Sequence, residues 1–546
     1  MSRLKISYYS FIPSILFTLI LIPQIIQAQR LPENDIYQEY LQALKINGTL
    51  SGSSHTSQTG LDTLNSHPWR TLPKPATSIN KSSFFIAPHD PVLKTYWQSL
   101  EPGGSQDGPV WQGRGFTTDF SAGLFVKYGV LSASFRPHVI FNQNRSFALS
   151  PYSTKSNRSK YAYPLGNIDW PQRFGSDSFW SFDPGNSYIR ADYHGWATGI
   201  SNAQMHWGPG RENAILLDTN APGFQHFFIG TTDPKNIYVG KLQTNIFWGK
   251  LFESDYFDQD KLNNERYITG ITLSVTPKYV PGLVVGINRV FYETIPPKGI
   301  PAGDLFKIFE AFTKINFTNS GNSGGNDQAD QLISLFGQWT FPNSGLEIYA
   351  EWARTDHSWN WRDFFTEPEH SRGYTLGLQK TFELPKERLL SFNAELTQLE
   401  ASKTGAFRGY PTFYFHHKTQ QGYSNKGQLL GASIGPGSSS QYLGSSLFFG
   451  KGMIKLFVQR VAQNNDFLYE SDAMLDEQIQ DPSIQKYWLH NVEMRIGTSL
   501  HYFYKQFESS LGFTYRRELN DDYIYKNDKN HLGIAFSIRY RLTDLR

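Results

Sequence analysis

From Gly115 to the C-terminus the chain alternates apolar and polar residues in runs of about ten, and run length constrains the fold more than any other feature. Leu131, Ala133, Phe135, Val139 and Phe141 alternate with Ser132, Ser134, Arg136, His138 and Asn142. Ile271, Leu273 and Val275 alternate with Thr272, Ser274 and Thr276, and Pro281-Gly282 then turns the chain into Leu283, Val285 and Ile287. Near the end Leu532, Ile534, Phe536, Ile538, Tyr540 and Leu542 form one face of a strand, and His531, Gly533, Ser537, Arg539 and Arg541 form the other. A soluble sheet uses strands of about five or six residues, whereas a tilted membrane-spanning strand needs about nine to eleven. Roughly sixteen to eighteen such segments follow Gly115, joined alternately by tight turns and long polar loops. Residues 279–282 and 341–345 are tight turns; residues 151–180, 316–331, 400–411 and 464–487 are long loops. The expected fold is all-β, a large antiparallel β-barrel of the outer-membrane type. A soluble propeller is the other environment for such strands, but no blade-length repeat is present.

Composition agrees with a barrel. Aromatic residues make up 15% of the chain, with 30 Tyr, 41 Phe and 13 Trp, as girdles at two lipid interfaces require. Mean hydropathy is nevertheless −0.44, which suits strands with one polar face and not a helical membrane protein. The chain has no cysteine, so disulfide frameworks and Cys-based metal sites are excluded. Residues 1–28 read as a signal peptide, with Arg3 and Lys5 ahead of an apolar run that ends at Gln27-Ala28. Its removal takes the formal charge from +3 to +1, which gives no footing for nucleic acid. Residues 29–112 read as a helical and irregular N-terminal region. In it Asn34 or Asp35 caps a helix carrying Tyr37, Tyr40, Leu41 and Leu44, Gly48 stops it, and residues 49–66 form a Ser/Thr/Gly-rich linker. The barrel then occupies residues 113–546. A helical insertion is expected from Asp304 through Leu305, Phe309, Phe312 and Ile315. The last four residues, 543–546, extend past Tyr540, where many outer-membrane strands end the chain on an aromatic.

Chemistry-bearing residues concentrate between 188 and 230. Tyr188, Arg190, Asp192 and His194 share one face of a strand, and a second strand is expected to carry Asn202, Gln204 and His206 at the same spacing. Trp207-Gly208-Pro209-Gly210 then forces a tight backbone that would leave the indole on display, and Arg211, Asn213, Asn220, the segment Ala221-Pro222-Gly223 and His226 follow. Farther on, Glu347, Tyr349 and Glu351 share a strand face next to Trp352. The two glutamates start roughly 13 Å apart, too far for a glycosidase pair, which needs at most about 9.5 Å; Glu395 on another strand stays available. An ion pair with a lumenal arginine such as Arg190 is the plainer expectation for them. His416 and His417 are adjacent on an expected strand, point to opposite faces and so do not share a metal ion. No phosphate-cradling loop, nucleophile elbow or His/Glu helix motif occurs, so no cofactor, metal or catalytic residue is assigned.

These motifs carry a family resemblance. The WGPG turn followed by Asn213 and the Asn220-Ala221-Pro222 segment, the run Gly345-Leu346-Glu347-Ile348-Tyr349-Ala350-Glu351-Trp352, the run from His417 through Gly422-Tyr423, Asn425 and Gly427-Gln428, and Ile434-Gly435-Pro436-Gly437-Ser438 are in order. Together they resemble the capsule assembly Wzi family. The resemblance implies a Gram-negative outer-membrane lectin, a barrel of about 18 strands associated with N-terminal helices, that helps attach capsular polysaccharide to the cell surface without catalysis. It implies capsular or exopolysaccharide as ligand, outer-membrane lipid as surroundings and other capsule export components as partners. Tryptophans beside amides, arginines and carboxylates suit sugar rings and hydroxyls. The candidate polysaccharide-binding residues are therefore Arg190, Asp192, His206, Trp207, Arg211, Asn213, Asn220, Glu347, Glu351, Trp352, His417 and Gln428. The alternatives are a general porin, which needs an open lumen, and an outer-membrane polysaccharide hydrolase, which needs a carboxylate such as Glu351.

Overall fold

The computed structural model describes residues 36–49, 84–152, 157–309, 329–355, 361–402, 409–470 and 484–542. The signal peptide, the linker beyond residue 49 and the end of the chain after residue 542 lie outside these.

Eighteen antiparallel strands close into a barrel. In chain order the first six are β1 (Phe84–Gln98), β2 (Gly115–Tyr128), β3 (Leu131–Phe135, resumed as His138–Asn142), β4 (Phe179–Asp183, resumed as Tyr188–Tyr193), β5 (Trp196–Ser201) and β6 (His226–Thr231). Next come β7 (Gly240–Phe252), β8 (Glu265–Pro277), β9 (Leu283–Thr294), β10 (Asp330–Phe341), β11 (Leu346–Thr355) and β12 (Arg372–Leu384). The last six are β13 (Arg388–Gln398), β14 (Ser439–Phe449), β15 (Gly452–Ala462), β16 (Val492–Tyr504), β17 (Phe507–Leu519) and β18 (Lys529–Tyr540). Closure is made by β1, which pairs with β2 on one side and with β18 on the other, from Val92↔Arg539 to Gln98↔Gly533.

The burial pattern inverts that of a soluble protein. On β11, Glu347, Tyr349 and Glu351 are buried in the lumen, while Ile348, Ala350 and Trp352 face outward. Polar residues inside and apolar residues outside are stable only where the outside is hydrocarbon. Short turns such as 129–130, 385–387 and 450–451 gather at one end of the barrel; the long connections gather at the other.

The barrel begins earlier than expected: β1 lies within the segment read as irregular through residue 112. Pro88 and Pro91 hid it. The pairing with β2 shifts register between His89 and Val92, so these prolines flank a bulge, where a missing N–H costs little. Breaks at Arg136-Pro137 in β3 and Pro184-Gly185 in β4 adjoin each other through an Arg136↔Gly185 bridge.

The expected N-terminal helix is α1 (Ile36–Ile46), and it lies inside the barrel at the short-turn end. Tyr40 and Leu44 pack on Leu389, Phe448, Met453 and Phe503, and Gln42 Nε2 donates to Glu347 at 2.9 Å. The insertion after β9 is a 3₁₀ segment, Ala302–Phe309, and residues 310–315 of the expected helix lie outside the described residues. The described part lies against the outer wall, where Ile308 packs on Phe291 and Trp248 Nε1 donates to Leu305 O at 2.8 Å.

Candidate functional site

Strands β5 and β6 are six residues each, and the connection between them, 202–225, turns into the lumen. The second strand therefore ends at Ser201, and Asn202, Gln204 and His206 lie on an inward-folded loop. Trp207 is not on display: at 7% exposure it packs with Met205, Leu217 and Phe247 in the apolar core that fills the barrel.

The wall carboxylates hold this loop. Glu395 on β13 accepts the successive backbone N–H groups of Arg211 at 2.7 Å, Glu212 at 3.2 Å and Asn213 at 2.8 Å, plus the Tyr349 hydroxyl at 2.8 Å. Three N–H groups converging on one carboxylate form an anion nest. Glu347 takes the Arg211 guanidinium, Gln42 and the Thr340 hydroxyl. Glu351 lies beneath the WGPG turn: a Cβ on Gly208 would come 2.6 Å from its Oε2, so only glycine fits there, at φ +110. The expected ion pair for Arg190 is replaced by a local one, since Arg190 binds Asp192 on its own strand at 2.8 Å.

The downstream motif serves the same loop. Ser424–Asn425 and Gln428–Leu429 form a small hairpin between β4 and β7. Asn425 donates to Pro222 O at 3.2 Å and accepts from Phe252 N, Lys426 N donates to Phe252 O, and Lys426 Nζ pairs with Asp183 at 3.1 Å. Asn220 donates to Gly431 O and accepts from Gln106 N, and Asn213 accepts from Ser433. His416 and His417 lie on a loop and not a strand; Thr419 N donates to His416 Nδ1, and His417 is exposed. Trp352 faces outward and meets Phe364 edge-on at 6.2 Å.

Among the described residues the lumen holds two chambers of note. The lower, ≈ 360 Å³, lies between α1 and the plug loop and includes Glu39, His206, Arg211, Glu212 and Lys455. Burial pushes the Glu212 carboxyl above the usual range. Burial works against Glu39 as well, but Lys455 and Ser446 hold it below that range. The upper, ≈ 330 Å³, lies at the long-loop end and is of small-molecule size, roughly 300–1,000 Å³. Ser105 and Gln106 line both, so the tip of the 99–114 connection is the septum. Gln106 Nε2 is fixed to Arg211 O at 2.9 Å and Glu212 O at 3.2 Å.

Trp111, Tyr163 and Trp170, all half-buried, give the upper chamber aromatic faces. Tyr163 and Trp170 stack with centroids 5.3 Å apart, and Gly435 is needed where Trp170 crosses it, a Cβ there lying 2.9 Å from the indole. Gln112, Gln172, Asn220 and Gln428 add amides, and Arg495, Arg516 and Lys529 add cations. Six carboxylates line it too: Glu101 and Asp521 pair with Lys529, Glu493 with Arg495 and Arg516, Asp107 accepts from Gln112 at 2.7 Å, Glu518 lies 3.4 Å from His531, and Asp522 is the sixth. Glu101, Glu518 and His531 have metal-ligand spacing. The guanidinium of Arg516, which only donates, reaches His531 Nδ1 at 2.9 Å; the imidazole proton is therefore on Nε2, and no lone pair faces the two carboxylates.

Of the twelve candidate residues, the upper chamber holds Asn220 and Gln428 and the lower holds His206 and Arg211. Trp111, Tyr163 and Trp170 were missed because they sit in segments read as irregular or as loop. The available signal was a tryptophan beside proline and glutamine, as in Trp170-Pro171-Gln172.

A closed barrel with an apolar outer belt, a lumen filled by its own loops and an aromatic chamber at the long-loop end defines a plugged outer-membrane barrel rather than an open pore. The model of the family described as capsule assembly protein Wzi matches residues 104–532, and the chain belongs to that family. Among solved structures it is similar to Wzi of Escherichia coli, described as an outer-membrane protein involved in group 1 capsule assembly and a carbohydrate-binding β-barrel. Identity is 13%, coverage is 94% of this chain and 100% of that one, and the TM-score is 0.59. Acinetobacter baumannii OccAB2 matches at 9% identity over 83% of this chain and 98% of that one, with a TM-score of 0.38. Pseudomonas aeruginosa OprD matches at 8% over 84% and 93%, with a TM-score of 0.36. Comparison with curated proteins finds no match.

Proposed function

We propose that this protein binds a surface polysaccharide at the long-loop end and attaches it to the outer membrane, as a non-enzymatic organiser of a capsule or similar coat. The observation that carries this reading is the upper chamber, where aromatic rings including Trp111, Tyr163 and Trp170 and a set of side-chain amides line a cavity above a blocked lumen. Aromatic faces stack on pyranose rings, and amides and ion-paired side chains meet hydroxyls. Trp111, Tyr163, Trp170, Asn220, Gln428, Arg516 and Lys529 are the contact residues in this proposal. Trp207, Glu347, Glu351, Arg211 and Asn213 act by holding the plug. Each chamber grips a short stretch of polymer weakly, and many copies in the membrane hold a long chain by multivalency. The wall carboxylates Glu347, Glu351 and Glu395 are taken up in holding the plug beneath the chamber. The description of E. coli Wzi as carbohydrate-binding supports the same reading.

Purified protein titrated with oligosaccharides cut from the host's own surface polymer tests it. Trp170→Ala should weaken binding about tenfold, the loss of one stacking partner, with the barrel intact. Unchanged affinity in Trp170→Ala and Trp111→Ala would refute the site.

A further inference from the structure

The outer wall carries a second arrangement, unconnected with the lumen. On β9 to β12 the outward positions form horizontal rows set by the register. One row is Ile287, Leu335, Trp352, Tyr374, above rows such as Leu283, Trp339, Ile348, Leu378. This is the lipid-facing belt, topped by aromatics that mark the headgroup level. The next row up, about 7 Å along the strands, is Arg289, Ile333, Arg354, Arg372. Three arginines thus occupy one level on the outward side of the strands, toward the long-loop end of the belt; Arg289 and Arg354 are buried there under the covering segments, and Arg372 is the one left half-exposed.

Each guanidinium is set over an aromatic ring: Arg289 over Phe291 at 4.6 Å, Arg354 over Phe364 at 5.4 Å, Arg372 over Tyr374 at 5.3 Å. Arg289 also donates to Gln331 on β10 at 2.8 Å and to Ile308 O of the covering 3₁₀ segment at 3.1 Å. Arg372 is half-buried, and its Nη1 is a buried donor with no hydrogen-bond partner among the described residues. The short helix Trp361–Thr366 overhangs the row with Trp361 and Phe365 exposed.

We propose that this arginine row binds the phosphorylated headgroup of an outer-leaflet glycolipid, with Arg372 as the contacting fork and its acyl chains on the belt below. The occupant is lipid because the row is continuous with the lipid-facing belt and faces away from both chambers. Phosphate is the anion because it sits at the level just above the aromatic girdle and matches the planar fork.

The test uses full-length protein in a non-ionic detergent, with native mass spectrometry as readout. The probes are a bis-phosphorylated acylated glucosamine disaccharide, the same lipid with its phosphates removed, and inorganic phosphate. Wild type should prefer the phosphorylated lipid about tenfold, and Arg372→Gln should lose that preference while keeping the heat-dependent gel mobility of a folded barrel. Equal binding of the two lipids by wild type, which needs no variant, would overturn the proposal. So would an undiminished preference in folded Arg372→Gln, or competition by inorganic phosphate at the lipid's own concentration, which would mean a free-anion site.

Discussion

Glu395 shows how one wall residue decides what the lumen contains. Its carboxylate receives three consecutive backbone N–H groups and the Tyr349 hydroxyl, so the charge is matched by donors the plug loop cannot place elsewhere. Removing a charged acceptor of this kind costs roughly 1.5–3 kcal/mol. Glu395→Ala should therefore lower thermal stability while the strands still form, and raise single-channel conductance as the loop loosens; unchanged stability and conductance would contradict its role. The sequence made Glu347, Glu351 and Arg211 visible as a charged constellation but not as partners. Arg211 and Glu347 are 136 positions apart and Arg211 and Glu395 are 184 apart, and no local pattern reports such pairings. Trp207 was misjudged for the same reason: a WGPG turn is tight whether it meets solvent or core, and the wall carboxylates decide which.

At the scale of elements, two separate pieces block the lumen. Helix α1 closes the short-turn end, and the 202–225 loop, held by the Ser424–Leu429 hairpin and by Gln106, closes the middle. Deleting α1 alone should leave conductance in planar bilayers low, whereas deleting α1 and replacing residues 206–218 by a short glycine-serine linker should open a pore. Porin-sized conductance from the first deletion alone would show that the loop does not block. The long connections carry a pH signature. Burial pushes Asp466 and Glu253 up to about 7 and Asp107 and Asp522 up to about 6. A carboxyl raised in the folded state binds more protons folded than unfolded, so its contribution to stability falls as pH climbs from the unfolded value near ~4 through the folded value. Protease resistance of these connections should accordingly decline between about pH 4 and pH 7, and a rise over that window would contradict the assignment.

For the whole molecule, the sequence revealed the architecture because a membrane barrel repeats one rule. Apolar side chains face lipid, polar ones face inward, and the run must be long enough to span, so each strand reports the environment independently. Reading failed where that rule was locally interrupted: at β1, whose bulge carries two prolines, and at β5 and β6, which stop short to send the chain inside. The interior followed no periodic rule, so the upper chamber is assembled from segments that separately looked like loops. Its position at the long-loop end, above a closed lumen, suits holding a polymer at the surface rather than passing it through. The most direct test is the partition of surface polysaccharide between cells and medium after deleting the gene in its own host, with complementation by wild type and by Trp111→Ala/Trp170→Ala. Polymer made in normal amount but shed, restored to the cells by wild type and not by an equally abundant double variant, is the predicted result. Polymer that stays on the cells without the protein would contradict the account.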